Sequence, residues 1–190
     1  MPNFFARATI GRMKEVLLVT GGARSGKSAY AEKRALTLGS RLLYVATAQP
    51  IDAEMARRIE KHRKRRADTW QTIEEPLEVP RVLQLYSDRL DCVLIDCITV
   101  WLSNLLLERG ETRVEHQVEL LANWIARVPT SLILVTNEVG SGIVPDNRLA
   151  RQFRDLAGRT NQRLADLADE VVLMVSGIPV TIKPVRQTCA

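Results

Sequence analysis

Gly21-Gly22-Ala23-Arg24-Ser25-Gly26-Lys27-Ser28 follows directly on the apolar run Val16-Leu17-Leu18-Val19. The spacing is G-x-x-x-x-G-K-S, and its position between a buried strand and a helix matters more than its letters. A strand that ends in a glycine-rich turn and runs into a helix aims successive backbone N–H groups at one spot. Gly21 and Gly26 permit backbone angles and a close approach that a side chain would block. Lys27 is then placed to reach the β- and γ-phosphates of a nucleoside triphosphate, and the Ser28 hydroxyl to ligate Mg²⁺.

Apolar runs recur along the rest of the chain with helical patterns between them. Strands are expected at residues 16–20, 42–46, 92–96 and 132–136, and two closing strands at 171–175 and 180–183, joined by a turn over 176–179. Helices are expected from the phosphate loop to Leu38, over 52–66, 77–86, 101–107 and 114–126, and over 146–168. For the last helix Asp146 reads as the N-cap, and Leu149, Phe153, Leu156, Thr160 and Leu164 as the inner face. Short apolar strands alternating with helices predict an α/β fold, a mainly parallel sheet covered on both faces, of the P-loop NTPase type. Ligands gather at the carboxyl ends of such strands.

With 190 residues, 46% hydrophobic and 26% charged, the chain suits one folded domain, expected over residues 14–190. Residues 1–13 carry Arg7 and Arg12 without an acid and lack a continuous apolar core. They are expected to form a poorly ordered extension ahead of that domain. No apolar stretch approaches the roughly 20 residues that span a bilayer. Cys92, Cys97 and Cys189 are too few and too scattered for a disulfide framework or a metal site, which fits a reducing cytoplasm.

The net charge of +5 is unevenly placed: Arg57, Arg58, Lys61, Arg63, Lys64, Arg65 and Arg66 stand against the single acid Glu60. Such a block suits phosphate, on a nucleotide or on nucleic acid, or is simply a solvated helix face. An aromatic content of 5% gives little for base stacking, so nucleic acid is the weaker reading. His62 sits inside this block, where neighbouring cations disfavour its protonation and leave a ring lone pair free for attack on phosphorus. Taken alone, His62 reads equally as a surface residue. His116 has no such surroundings.

Asp96 ends the run Val93-Leu94-Ile95-Asp96, and an acid at the tip of an apolar strand is the usual metal-side partner of a phosphate loop. Thr47 and Gln49, Glu74 and Glu75, and Asn137-Glu138 also follow strand-like runs. Arg148, Arg151 and Arg154 could reach a site from the long helix, although ordinary capping and turn roles explain these groups as well.

Several longer stretches resemble one family. Residues 19–28, Tyr44-Val45-Ala46-Thr47-Ala48, the Glu54 to Arg63 segment with His62, and Thr136-Asn137-Glu138-Val139-Gly140-Ser141-Gly142-Ile143-Val144-Pro145 are similar to the bifunctional adenosylcobinamide kinase/adenosylcobinamide-phosphate guanylyltransferases of cobalamin biosynthesis. The resemblance implies a homotrimeric transferase that phosphorylates adenosylcobinamide with ATP or GTP. It would then move GMP from GTP onto that phosphate through a guanylylated histidine. Carried over by position, that histidine is His62, and Lys27 serves catalysis. The nucleotide contacts fall on Gly21, Gly22, Ala23, Arg24, Ser25, Gly26, Lys27, Ser28, Ala46, Thr47, Ala48, Arg63, Lys64, Arg65, Arg66, Glu74 and Asp96, with Mg²⁺ on Ser28 and Asp96. A phosphate-loop kinase for another small molecule, with His62 a bystander, and a nucleotide-gated binding protein are the competing readings.

Overall fold

The computed structural model describes residues 14–50, 69–127 and 129–185, together with Ala53, Arg57, Glu60 and Arg63. The expected extension at 1–13 and most of the expected helix at 52–66 lie outside the described residues, although these four positions are helical and exposed.

The phosphate-loop strand β1 (Val16–Gly21) leads into α1 (Lys27–Leu38), and β2 (Leu42–Ala46) follows. After β3 (Trp70–Glu74) come α2 (Val79–Tyr86), a 3-10 turn at Ser87–Arg89, β4 (Cys92–Asp96), α3 (Ile98–Arg109) and α4 (Glu111–Ile125). The chain closes with β5 (Ser131–Val135), α5 (Arg148–Leu167), β6 (Glu170–Val175) and β7 (Ile178–Lys183). The seven strands form one sheet in the order β3-β2-β4-β5-β1-β6-β7. All pairings are parallel except that of β6 with β7. The expected mainly parallel α/β architecture is what the chain adopts.

Strand alternation divides the core into two. Leu18, Val45, Ile95 and Leu134 face α2 to α5. Leu17, Val19, Tyr44, Leu94 and Val135 face α1. Because both faces are covered, the inner strands read as unbroken apolar runs, the pattern that made them visible in the sequence. On the larger side Trp101 is fully buried and donates its indole N–H to the Leu77 carbonyl at 2.7 Å. That bond fixes α3 against the segment following β3. Lys183, the last residue of β7, donates to the carbonyls of Ala165 (2.9 Å), Asp166 (3.1 Å) and Ala168 (2.5 Å). It thereby satisfies the open C-terminus of α5 and pins the hairpin to it.

The strand-like run ahead of Glu74 and Glu75 is β3, which includes Glu74 and lies at the sheet edge with Gln71, Thr72 and Glu74 exposed, so it lacks the apolar run of an inner strand. Three expectations need correction. The N-cap of α5 is Asn147, whose side-chain oxygen accepts from the Ala150 N–H at 2.7 Å, and not Asp146. Leu149 is exposed, because only from Phe153 onward does α5 lie on the sheet. The β6–β7 connection is the two-residue turn Ser176-Gly177, both at positive φ (51° and 85°), which leaves Ile178 and Pro179 inside β7.

Asp91 joins the α1–β2 corner to β4. One carboxylate oxygen accepts from the backbone N–H groups of Ser40 (3.0 Å) and Arg41 (2.9 Å), the other from the Arg41 guanidinium at 2.6 and 3.1 Å. A Cβ on Gly39 would collide with this side chain. The Arg41 side-chain hydrogen bond is the first cause, and with the backbone donors it holds the Asp91 pKa down to about 2 from 3.8. A carboxylate whose pKa falls on folding stabilises the fold above its unfolded pKa, and the contribution fades as pH drops through the folded value. Asp91→Asn should therefore lower Tm at pH 7 by about 2–4 °C, the shift that about 1 kcal/mol produces in a chain of this length. The gap to the parent should narrow as the pH of the melt falls from about 4 to about 2. A gap independent of pH would contradict this role.

Candidate active site

The loop between β1 and α1 is shaped by two glycines and braced from outside. Gly21 has φ 142°, and a Cβ there would sit 2.5 Å from the Met174 carbonyl oxygen. Gly26 caps α1 in the left-handed region at φ 98°. Gly177 of the β6–β7 turn donates its N–H to the Ser25 carbonyl at 3.0 Å, which holds the crest of the loop. Lys27 is buried, and its ammonium donates to the carbonyls of Gly21 (3.0 Å) and Gly22 (2.6 Å) and to Ser25 Oγ at 3.4 Å. The cation thus lies along the inside of the loop. The first turn of α1 has no side-chain cap and no acid, so its N–H groups and dipole favour an anion. Ser28, in that first turn, is half-buried.

Asp96 ends β4 on the α1 side, two residues beyond Leu94 of that face. Buried Tyr44 of β2, the register partner of Leu94, donates its hydroxyl to Asp96 Oδ2 at 2.7 Å. One carboxylate oxygen is thereby oriented from below. Thr47 locks the backbone after it. Thr47 N–H donates to the Asp96 carbonyl at 3.2 Å, and Cys97 N–H donates to Thr47 Oγ1 at 2.8 Å. The Thr47 hydroxyl donates to the Cys97 carbonyl at 2.9 Å. Asn104 of α3 donates to the Thr47 carbonyl at 2.9 Å and to Pro76 at 3.2 Å, which ties the β2 end to the helix layer. Ser28 and Asp96 offer hard oxygen donors of the kind Mg²⁺ takes alongside phosphate. No cluster of three or more His, Cys, Asp or Glu side chains suited to a metal forms among the described residues.

Cys97 follows Asp96 directly. Burial first, and then the Asp96 charge, pushes its thiol up to about 11. It is a protonated thiol at neutral pH and no nucleophile.

β5 lies between β4 and β1, so its end stands between Asp96 and the phosphate loop. Glu138 N–H donates to the Gly21 carbonyl at 3.1 Å. Asn137 donates its backbone N–H to Thr99 Oγ1 at 2.7 Å and its side-chain amide to the same oxygen at 3.0 Å. Thr136 donates to Asn161 of α5 at 2.7 Å.

The structure brings Gly21 to Ser28, Asp96 and the Asn137-Glu138 pair to one edge of the sheet. Thr47 is fully buried, Ala46 and Ala48 are half-buried beside it, and Glu74 is exposed at the end of β3. Glu75 turns back to accept from the N–H groups of Leu77 (2.9 Å) and Glu78 (2.8 Å), so it shapes the entry to α2. Arg151 braces its own loop through the Pro145 and Asp146 carbonyls, and Arg154 pairs with Asp155. Arg63 is helical and exposed. His62, Lys64, Arg65 and Arg66 lie outside the described residues. Tyr44, Thr99, Asn104 and Asn161 have positioning roles that sequence reasoning missed. For Tyr44 the signal was available, since alternation along β2 and β4 puts it on the Asp96 side.

Residues 17–182 match the family described as cobinamide kinase / cobinamide phosphate guanyltransferase. The bifunctional adenosylcobalamin biosynthesis protein CobU of Salmonella typhimurium (strain LT2) is 46% identical over 183 residues, covering 88% of this chain and 99% of that protein. CobU of Escherichia coli (strain K12) is 44% identical, with the same coverage of 88% and 99%. CobP of Pseudomonas aeruginosa is 43% identical over 87% of this chain and 96% of its own length. Among solved structures, an ATPase of the type III secretion system of pathogenic bacteria superposes with a TM-score of 0.53 at 10% identity, covering 88% of this chain and 56% of that one. A Pyrococcus horikoshii OT3 protein gives 0.52 at 11% identity, covering 93% and 89%. These two likenesses concern the fold, which is that of the P-loop NTPases. An ordered phosphate loop with its strand-end acid, within a match running nearly the length of both chains, makes this protein a member of the cobinamide kinase / cobinamide phosphate guanyltransferase family of transferases.

Proposed function

We propose that this enzyme phosphorylates the hydroxyl of adenosylcobinamide with ATP or GTP and then transfers GMP from GTP to the resulting phosphate. The product is adenosylcobinamide-GDP, and His62 carries GMP between the two partners. The observation that carries the reading is the joint placement of Lys27, Asp96 and the β5 end on one sheet edge, in a chain collinear with bifunctional adenosylcobalamin biosynthesis proteins.

The nucleotide phosphates occupy the loop from Gly21 to Ser28, where Lys27 exchanges its carbonyl partners for phosphate oxygens. Ala46 to Ala48, Arg63 to Arg66 and Glu74 complete the nucleotide contacts. Bound Mg²⁺, held by Ser28 and Asp96, supplies charge neutralisation at the phosphates. In-line transfer to the alcohol then needs chiefly positioning and electrostatics. In the second half, His62 Nε2 or Nδ1 attacks the α-phosphorus of GTP, the bond to the bridging oxygen breaks, and pyrophosphate leaves with its electron pair. The substrate phosphate next displaces the histidine and takes GMP. Splitting one displacement into two predicts ping-pong kinetics for this half.

The assembly is a cytoplasmic homotrimer with no role in nucleic-acid binding. β7 supports an oligomer, because Ile178 (65% exposed), Val180 (46%) and Ile182 (58%) form an apolar row along an open edge strand. No helix among the described residues is long and apolar enough to cross a membrane.

Three measurements check this reading. Intact-protein mass after incubation with GTP and Mg²⁺ should rise by one acid-labile GMP, and His62→Ala should show no rise. An unmodified parent that nonetheless binds GTP would leave a plain kinase. Tyr44→Phe should raise the Mg²⁺ concentration for half-maximal nucleotide binding about tenfold, as loss of an outer-shell donor does. The same change in an Asp96→Asn background should add nothing. Light scattering should give a mass about three times the 21.3 kDa of one chain, and Ile182→Lys should reduce it to that of a single chain; a monomeric parent would refute the trimer.

A further inference from the structure

The hydrogen bonds at the end of β5 close into a ring. The Asn137 carbonyl can only accept, so the Asn161 atom facing it at 3.2 Å is the amide nitrogen. The other Asn161 atom, 2.7 Å from Thr136 Oγ1, is therefore its oxygen, and the Thr136 hydroxyl spends its one proton there. Between the Thr136 and Thr99 hydroxyls, 3.5 Å apart, Thr136 can then act only as the acceptor, and the Thr99 hydroxyl also lies within reach of Cys97 Sγ. Both threonines are buried, at 4% and 0% exposure, which leaves no competing solvent partner. Thr99 Oγ1 accepts from the Asn137 backbone N–H at 2.7 Å and from the Asn137 side-chain nitrogen at 3.0 Å. The Asn137 atom facing Thr99 is the nitrogen. The same nitrogen lies 3.8 Å from Cys97 Sγ. The side-chain oxygen of Asn137 is turned the other way.

Alternation says which side that residue occupies. Ile133 and Val135 lie on the α1 side of the sheet, so Asn137 shares that side with Asp96 and the helix carrying Lys27. Its successor Glu138 is bonded to Gly21. Asn137 thus stands half-buried between the strand-end acid and the phosphate loop, presenting an acceptor. Phosphate oxygens cannot use an acceptor. A hydroxyl can.

We infer that Asn137 is a catalytic residue of the phosphoryl-transfer step, its side-chain oxygen accepting a hydrogen bond from the alcohol that attacks the γ-phosphate, and this rests on the kinase reading above. The alcohol oxygen forms its bond to the γ-phosphorus while the bond to the β,γ-bridging oxygen breaks. The electron pair leaves with the nucleoside diphosphate. The hydroxyl proton passes to an oxygen of the transferred phosphoryl group and exchanges with solvent, since an amide takes none. Asn137 fixes the direction of the hydroxyl and leaves its lone pair aimed at phosphorus. The ring of Thr99, Thr136 and Asn161 keeps the amide from turning its nitrogen into the site.

The test compares phosphorylation of cobinamide by the parent enzyme with Asn137→Ala and Asn137→Asp, beside the affinity for a fluorescent nucleotide. Asn137→Ala should lower kcat about a hundredfold, with nucleotide affinity within about threefold of the parent. Asn137→Asp, which keeps an acceptor of the same reach, should be at least about tenfold faster than Asn137→Ala. Thr99→Val frees the amide to flip and should be slower than Thr99→Ser; this pair keeps Asn137 in place should its own variants fold poorly. An Asn137→Asp enzyme no faster than Asn137→Ala, or equal rates for the two Thr99 variants, would overturn the inference alone. A parent that binds the nucleotide but phosphorylates no cobinamide would overturn the kinase reading and the inference with it.

Discussion

The carbonyl of Gly21 accepts two hydrogen bonds, from the Lys27 ammonium at 3.0 Å and from the Glu138 N–H at 3.1 Å. It is the last residue of β1, and any side chain on it would strike the Met174 carbonyl of β6. One peptide unit therefore holds the Lys27 ammonium, the end of β5 and the spacing to β6. A phosphate loop has few side chains of its own, so its shape must be imposed by neighbours, here β5 and the β6–β7 turn. The antiparallel hairpin at the sheet edge acquires a reason in this light. Gly177 reaches the loop crest from outside, while Lys183 at the far end of β7 anchors the hairpin to α5.

The two sides of the sheet divide the work. The α2–α5 side carries the larger core, with Trp101 and a series of fully buried leucines. The α1 side carries Lys27 and Asp96. Contact between them at the active edge runs through polar side chains rather than apolar packing: Asn104 to Thr47, Asn161 to Thr136 and Asn137, and Thr99 to Asn137. Buried hydrogen bonds have narrow distance and angle requirements, so they set the position of a strand end more sharply than a hydrophobic contact does.

Much of this was legible in the chain because burial on both faces of a parallel sheet writes inner strands as continuous apolar runs, and because a phosphate loop has an obligatory spacing. What was not legible has equally physical causes. Trp70-Gln71-Thr72-Ile73-Glu74 is an edge strand with three exposed polar residues, and its pairing with β2 is a tertiary fact that its composition does not record. Asp146 and Asn147 are both competent caps, and the path of the loop before α5 decides between them. Strand order is not written in hydrophobicity at all. The placement of β5 between β4 and β1, which makes Asn137 more than a turn residue, emerges only from the pairing.

The electrostatics of the edge also assign the chemistry by type. Burial, and after it the Asp96 charge, keeps the neighbouring Cys97 thiol protonated, with a pKa of about 11, so this thiol is inert at neutral pH. Lys27, donating to the Gly21 and Gly22 carbonyls, offers a cation of the kind that suits phosphate. Direct transfer to an alcohol is what such a set performs well, because that reaction asks for neutralised charge and an oriented attacker more than for a protein nucleophile. Covalent nucleotidyl transfer asks for a neutral nitrogen amid cations, and the only histidine in such a sequence setting is His62. The two halves of the proposed reaction therefore draw on chemically distinct parts of the chain, joined by a nucleotide whose triphosphate each can address.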